Sequence, residues 1–298
     1  MDMKDRVNRI EELLQTYLPE ECGYQRTVIA AMNYSLLAGG KRLRPLLMQE
    51  TYRMFGGNEK VIEPFMAAIE MIHTYSLVHD DLPAMDNDEY RRGRETTWKV
   101  YGDAFGILAG DGLLNYAFET ALKAFELVDK NQPLMLIRVA DALRILALKA
   151  GIYGMIGGQT ADIEAEDQTA DLTTNQLLFI HEHKTAALIQ ASMMVGAILA
   201  GATREEVSAI EKCAYNIGIA FQIQDDVLDV IGDSRELGKQ VGSDEKNHKQ
   251  TYVTINGLEK SMRDVEGLSE EALNIIEGFR GEHSFLEQLV RELIHRRS

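Results

Sequence analysis

Two clusters of carboxylates are the residues best placed to do chemistry. The first is Asp80-Asp81-Leu82-Pro83-Ala84-Met85-Asp86, followed by Asn87 and Asp88. The second is Gln222-Ile223-Gln224-Asp225-Asp226-Val227-Leu228-Asp229, in which Gln222, Asp225, Asp226 and Asp229 fall at i, i+3, i+4 and i+7. On a helix that spacing lines up an amide and three carboxylates along one stripe. Like charges so placed destabilise a helix, and burying them without partners costs several kcal/mol each. A solvated helix face is the plain alternative, and the flanking Phe, Ile, Val and Leu argue against it. Carboxylate oxygens in such clusters suit a hard divalent cation shared with water and a phosphate, Mg²⁺ above all. Cations stand nearby. Arg91-Arg92-Gly93-Arg94 follows the first cluster directly, and Gly39-Gly40-Lys41-Arg42-Leu43-Arg44-Pro45 lies toward the N-terminus. In a chain with 31 Lys+Arg against 47 Asp+Glu, a net charge of −16, these local reversals of sign are what a diphosphate site needs.

The elements that must position these groups are helices. Only five prolines occur and the last is Pro133, so helix breakers are missing from the C-terminal half. Apolar residues recur at three- and four-residue spacing through 61–82, 134–156, 177–199 and 207–231, with no sustained alternation, which predicts an all-α fold. The helix through Ile62 to Leu82 must stop at Pro83, leaving Asp80 and Asp81 at its C-terminus, where the macrodipole is itself negative and a cation is called for. Thr203 with Glu206 predicts a capping box that opens the helix through Phe221 and Asp225. The glycine pairs 39–40, 56–57 and 157–158 mark turns or close backbone approaches. No linker or repeat divides the chain, so residues 1–298 are expected to form one domain.

Composition narrows the function classes. So acidic a surface argues against nucleic acid and against anionic membranes. Thr185 to Thr203 carries no charge, which predicts a helix buried on all sides in preference to a membrane span. The charged N-terminal stretch lacks a secretory signal, and Cys22 and Cys213 form no disulfide framework, so a reducing cytoplasm is expected. A zinc site on His181-Glu182-His183 fails because i and i+2 diverge on a helix. Gly232 to Gln250 is polar with three glycines, which composition reads as either a solvated surface excursion or a long loop of the mobile, functional kind.

Taken in order, GGKRLRP from Gly39, IEMIHTYSLVHDDLPAMD from Ile69, RRGR from Arg91, GILAGD from Gly106, GGQTADIEAE from Gly157, HKT from His183, FQIQDDVLD from Phe221 and GKQVGSDEKN with KQTY closely resemble the trans-isoprenyl diphosphate synthases, the polyprenyl synthetase family. The resemblance implies an isoprenoid-synthase helical bundle around a central apolar cavity, the two aspartate helices facing each other across it. The implied reaction condenses isopentenyl diphosphate head to tail with an allylic diphosphate, dimethylallyl or geranyl, with Mg²⁺ as cofactor. Carried over residue by residue, Asp80 and Asp86 ligate two ions with Asp81 in the outer shell. Asp225 holds a third, supported by Asp226 and Asp229 through water. Arg91, Lys184 and Lys239 bind the allylic diphosphate, with Gln222, Thr185 and Lys249 close by. Lys41, Arg44, His73 and Arg92 hold the homoallylic diphosphate, and Gly40 gives its backbone room. The 232–250 segment becomes a lid, the tail His295 to Ser298 a basic end near the homoallylic group, and the assembly a homodimer.

Chain length is set by what plugs the cavity below Asp80. Tyr75 lies five residues before it, about 7.5 Å along the axis, with Ser76 beside it; an aromatic there implies a farnesyl (C15) product, with C20 as the alternative. This chain departs from the family in carrying Glu95 for Pro, Trp98 for His and Asn87 for a frequent Asp, none of them in the ligating set. A terpene cyclase is expected to have an asymmetric second cluster, and a non-catalytic partner subunit to have lost one cluster; both clusters are intact here.

Overall fold

The computed structural model describes residues 2–129, 131–166, 172–231 and 250–294. Lys239, Lys249, the 232–249 part of the expected lid and the His295 to Ser298 tail lie outside the described residues. The helices gather into two compact units, one of Met1–Gln49 with Asn58–Leu143 and one of Glu50–Gly57 with Arg144–Ser298.

The first unit contains α1 (Met3–Thr16), α2 (Arg26–Leu36), the start of α3 (Leu43–Met54), α4 (Glu63–Asp80), a two-stranded hairpin of β1 (Tyr90–Arg91) and β2 (Arg94–Glu95), α5 (Thr97–Tyr101), α6 (Asp103–Leu122) and the start of α7 (Pro133–Ala150). Asp2 caps α1 by accepting the Asp5 N–H at 2.8 Å. The central element is α4, which packs on α6, as α2 also does. Phe65, Ala67, Ala68, Ile69, Met71 and Ile72 have no exposed surface, so α4 is apolar around most of its circumference, as a core helix must be. At about 1.5–3 kcal/mol per large side chain, this row is a main source of the unit's stability.

The second unit holds α8 (Met155–Glu166), α9 (Thr174–Ile180), a π-helical turn (His181–Ala186), α10 (Ala187–Ala200), α11 (Arg204–Ile231), α12 (Tyr252–Asn256), α13 (Leu258–Glu277) and α14 (Ser284–Ile294). The expected capping box opens α11: the Thr203 N–H donates to Glu206 Oε2 at 2.7 Å and the Glu206 N–H to Thr203 Oγ1 at 3.2 Å. The uncharged stretch is α10, with Leu188, Met193, Val195 and Leu199 fully buried. Among the described residues no helix is long and apolar enough to cross a membrane.

The all-α expectation holds apart from the hairpin at Tyr90–Glu95. Arg92 (φ 54°) and Gly93 (φ 74°) form its two-residue turn, the backbone that tight hairpins require. Two-residue strands are too short for alternation to reveal.

Candidate active site

In the first unit the acid cluster is folded onto the end of α4. Asp80 is its last residue, half-buried, and Asp81 caps it. The chain then curls back so that the Asp86 N–H donates to the Asp80 carbonyl at 2.9 Å, bringing the exposed Asp86 beside the helix end. Asn87 takes a left-handed φ of 55° within this curl, a conformation that asparagine tolerates well. The Trp98 indole N–H donates to the Asp88 carbonyl at 2.9 Å, so the departure at 98 ties down the segment after the acids. At Glu95 the backbone carbonyl accepts the Tyr34 hydroxyl at 2.8 Å.

The positive charge that the helix end calls for is Arg91, reaching from β1. Its Nε donates to Asp81 Oδ1 at 2.7 Å, and Nη2 lies 2.6 Å from the same oxygen. Burial opposes the Arg91 charge, but the Asp81 hydrogen bond and the charges of Asp81, Asp88 and Asp80 outweigh it and raise its pKa. Asp81 is 4% exposed, and burial moves its pKa upward against the pull of Arg91.

Around His73 the arginines converge. Burial first, then the charges of Arg44, Arg92, Arg42 and Arg91, hold the imidazole well below its usual pKa of 6.5, so it is neutral at pH 7. Burial, with a further push from Arg92, lowers Arg44 to about 10. The buried Arg44 Nε has no hydrogen-bond partner among the described residues. Gly40 has φ 143°, and a Cβ there would lie 2.5 Å from Arg92 Nη1; Arg92 in turn donates to the Gly39 carbonyl. Lys41 is exposed beside them.

Tyr75 is buried below Asp80, its ring edge-on to His79 with centroids 5.9 Å apart. Burial and then the Asp80 charge push its hydroxyl up to about 12. Ser76 donates back to the His73 carbonyl at 2.9 Å.

The second unit organises its groups around the π-helical turn, where Lys184 and Thr185 sit. Two glycines let neighbouring helices approach this turn. A Cβ on Gly158 of α8 would fall 2.1 Å from the Lys184 backbone nitrogen, and one on Gly218 of α11 would fall 2.3 Å from the Ala186 Cβ. One helical turn beyond Gly158, Asp162 Oδ2 meets Lys184 Nζ at 2.5 Å. Thr185 donates to Gln222 Oε1 at 3.0 Å, bringing together two of the predicted ligands. The acidic stripe of α11 splits: Gln222, Asp225 and Asp229 stay half-buried, while Asp226 is buried and accepts the Tyr252 N–H of α12 at 2.7 Å.

Among the described residues no three His, Cys, Asp or Glu side chains gather closely enough to cage an ion. That donor set fits Mg²⁺, which takes one or two carboxylates and fills its remaining positions with water and substrate phosphate. Asp80 with Asp86, and Asp225, supply such carboxylates. Reasoning from sequence alone passed over Asp162, although it stands in the GGQTADIEAE segment, because nothing local says that it meets Lys184. It also passed over Arg42, whose neighbours are remote in sequence.

Comparison with known proteins adds to this geometry. The signature of the Polyprenyl synthetase family matches residues 25–291. A farnesyl diphosphate synthase of Geobacillus stearothermophilus is 44% identical over 86% of this chain and 84% of its own. A geranylgeranyl diphosphate synthase of Cyanophora paradoxa is 43% identical over 90% of this chain and 86% of its own. In structure, a geranyltransferase from Helicobacter pylori, solved with magnesium and isoprenyl diphosphate, superposes with a TM-score of 0.81 at 31% identity, covering 98% of this chain and 95% of that one.

Proposed function

Because this chain belongs to the polyprenyl synthetase family, we propose that it is a Mg²⁺-dependent prenyltransferase that joins isopentenyl diphosphate head to tail to dimethylallyl or geranyl diphosphate, giving farnesyl diphosphate. The observation that carries this reading is the cation cluster of the first unit. His73 stands among four arginines, and the buried Arg44 Nε donates to nothing among the described residues. Arg42 and Arg91 already have carboxylate partners, and a diphosphate is the anion whose geometry and charge would satisfy Arg44 and Arg92.

In this reading Asp80 and Asp86 hold two ions and Asp225 a third, three in all, with Asp229 supporting the third through water. Asp226 acts on them only indirectly, since one of its oxygens is committed to Tyr252. Bound Mg²⁺ neutralises the allylic diphosphate and so eases its departure. Arg91 and Lys184 add hydrogen bonds to the same leaving group. Each is held ready by a carboxylate, Asp81 or Asp162, so little reorganisation is needed as charge develops. Thr185 and Gln222 lie alongside, and Lys239 and Lys249 are assigned to the same group from the sequence resemblance. Lys41, Arg44, His73 and Arg92 orient isopentenyl diphosphate, with Gly40 leaving it room, so that its C4 attacks the allylic carbon as the carbon–oxygen bond breaks. The departing diphosphate accepts the proton that is lost. Apolar walls keep water from the cation, and Tyr75, with Ser76 above it, limits growth of the prenyl chain at C15.

We read the enzyme as a cytoplasmic homodimer. The dimer is assigned from the sequence resemblance; on α6 the exposed Ile107 and Leu108 share their face with the exposed Asp111, Asn115 and Glu119. A C20 product is the second reading, favoured by near-equal identity to relatives of both names. Incubation with labelled isopentenyl diphosphate, Mg²⁺ and each starter, followed by sizing of the released alcohols, decides. Farnesol from both starters supports the main reading, and geranylgeraniol the second. No incorporation overturns both, and sedimentation at the mass of one chain overturns the dimer.

A further inference from the structure

The GGKRLRP loop holds one cation that is fully satisfied. Arg42 is a non-glycine residue at φ 46°, a conformation that costs energy and persists only when its surroundings enforce it. Its side chain is 1% exposed. Nε donates to Glu11 Oε1 at 2.7 Å and Nη2 to Glu11 Oε2 at 3.2 Å, a fork-to-fork pair. Nη1 donates to Glu70 Oε1 at 2.7 Å, and Nη2 also to the Leu36 carbonyl at 2.7 Å. Glu70 is 2% exposed and lies on α4 three residues before His73.

Lys41 and Arg44, one and two positions either side of this clamp, stand in contrast to it. Lys41 is exposed, and the buried Arg44 Nε has no hydrogen-bond partner among the described residues. Glu11 and Glu70 thus hydrogen-bond to Arg42 and fix its backbone, and they act on Arg44 and Arg92 only through space, so those cations keep donors for an incoming anion. Glu11 belongs to α1, which ends at Thr16, before the family signature begins at residue 25.

We propose that Glu11 and Glu70 are positioning residues for the homoallylic diphosphate, acting through Arg42, and that α1 is thereby part of the substrate-binding machinery. This rests on the reading of Lys41, Arg44 and His73 as ligands of that diphosphate. The test uses the full chain carrying Glu11→Gln, with Glu11→Asp as a milder variant should the first fold poorly, alone and combined with Arg44→Ala. The expected result is a KM for isopentenyl diphosphate raised about tenfold, as for a weakened charge-assisted hydrogen bond, with the KM for geranyl diphosphate unchanged within about twofold. In the Arg44→Ala background the Glu11 effect should largely vanish, which a merely structural loss would not show. Equal rises in both KM values, no rise at all, or full additivity with Arg44→Ala would overturn the proposal. If Arg44→Ala alone fails to raise the KM for isopentenyl diphosphate selectively, the underlying reading fails instead.

Discussion

At the scale of single residues, the first unit gathers cations without exhausting them. Arg91 is paired with Asp81, Arg42 with Glu11 and Glu70, and the remaining positive charge around His73 is left for an anion. His73 carries a pH consequence. Its pKa is depressed in the folded protein, so at pH values below about 6.5 the unfolded chain binds a proton that the native state refuses. Stability therefore falls with acidity through that window, by at most about 1.4 kcal/mol per pH unit from this one group, and the group contributes no pH dependence above it. His73→Gln should flatten the decline in Tm between pH 6.5 and 5 relative to the unaltered protein. Parallel Tm profiles would show that His73 titrates normally. The acids, and through the family resemblance the Lys41, Arg44 and His73 set, could be singled out because each stands in a short motif. The partners of Arg42 could not, since Glu11 and Glu70 lie far away along the chain and only the fold unites them.

At the scale of elements, the π-helical turn is what places Lys184 and Thr185. The sequence around it reads as an unbroken helix from Leu177 to Leu199, because α10 is buried on nearly every side and the shift in phase that one extra residue brings leaves no mark on an apolar pattern without a face. Its clearest trace in the sequence is glycine. Gly158 and Gly218 stand where α8 and α11 press backbone and methyl group against the turn. Gly158→Ala would set a Cβ against the Lys184 backbone, which unlike a flexible side chain cannot swing aside. The expected cost is about 1–3 kcal/mol of stability, with turnover reduced further as the Asp162–Lys184 pair separates. A Tm within a degree of the unaltered protein, with normal turnover, would contradict this account of the packing. The short hairpin also escaped detection: two residues per strand show no alternation, and only Arg92-Gly93 hinted at the turn.

At the scale of the whole molecule, the helical fold and its order of motifs follow from apolar spacing and the absence of proline after residue 133. No composition shift or linker in the sequence accompanies the boundary between the two compact units. At its centre, the proposed chemistry requires Asp80 and Asp225 to act on one leaving group. The most direct measurement is a double-mutant cycle on turnover with saturating Mg²⁺ and substrates, using Asp80→Asn, Asp225→Asn and the pair. Each single change should lower kcat by about a thousandfold or more, and the double variant should be little worse than either alone, because groups that serve one transition state fail together. Multiplying losses, or near-normal turnover in either single variant, would contradict it.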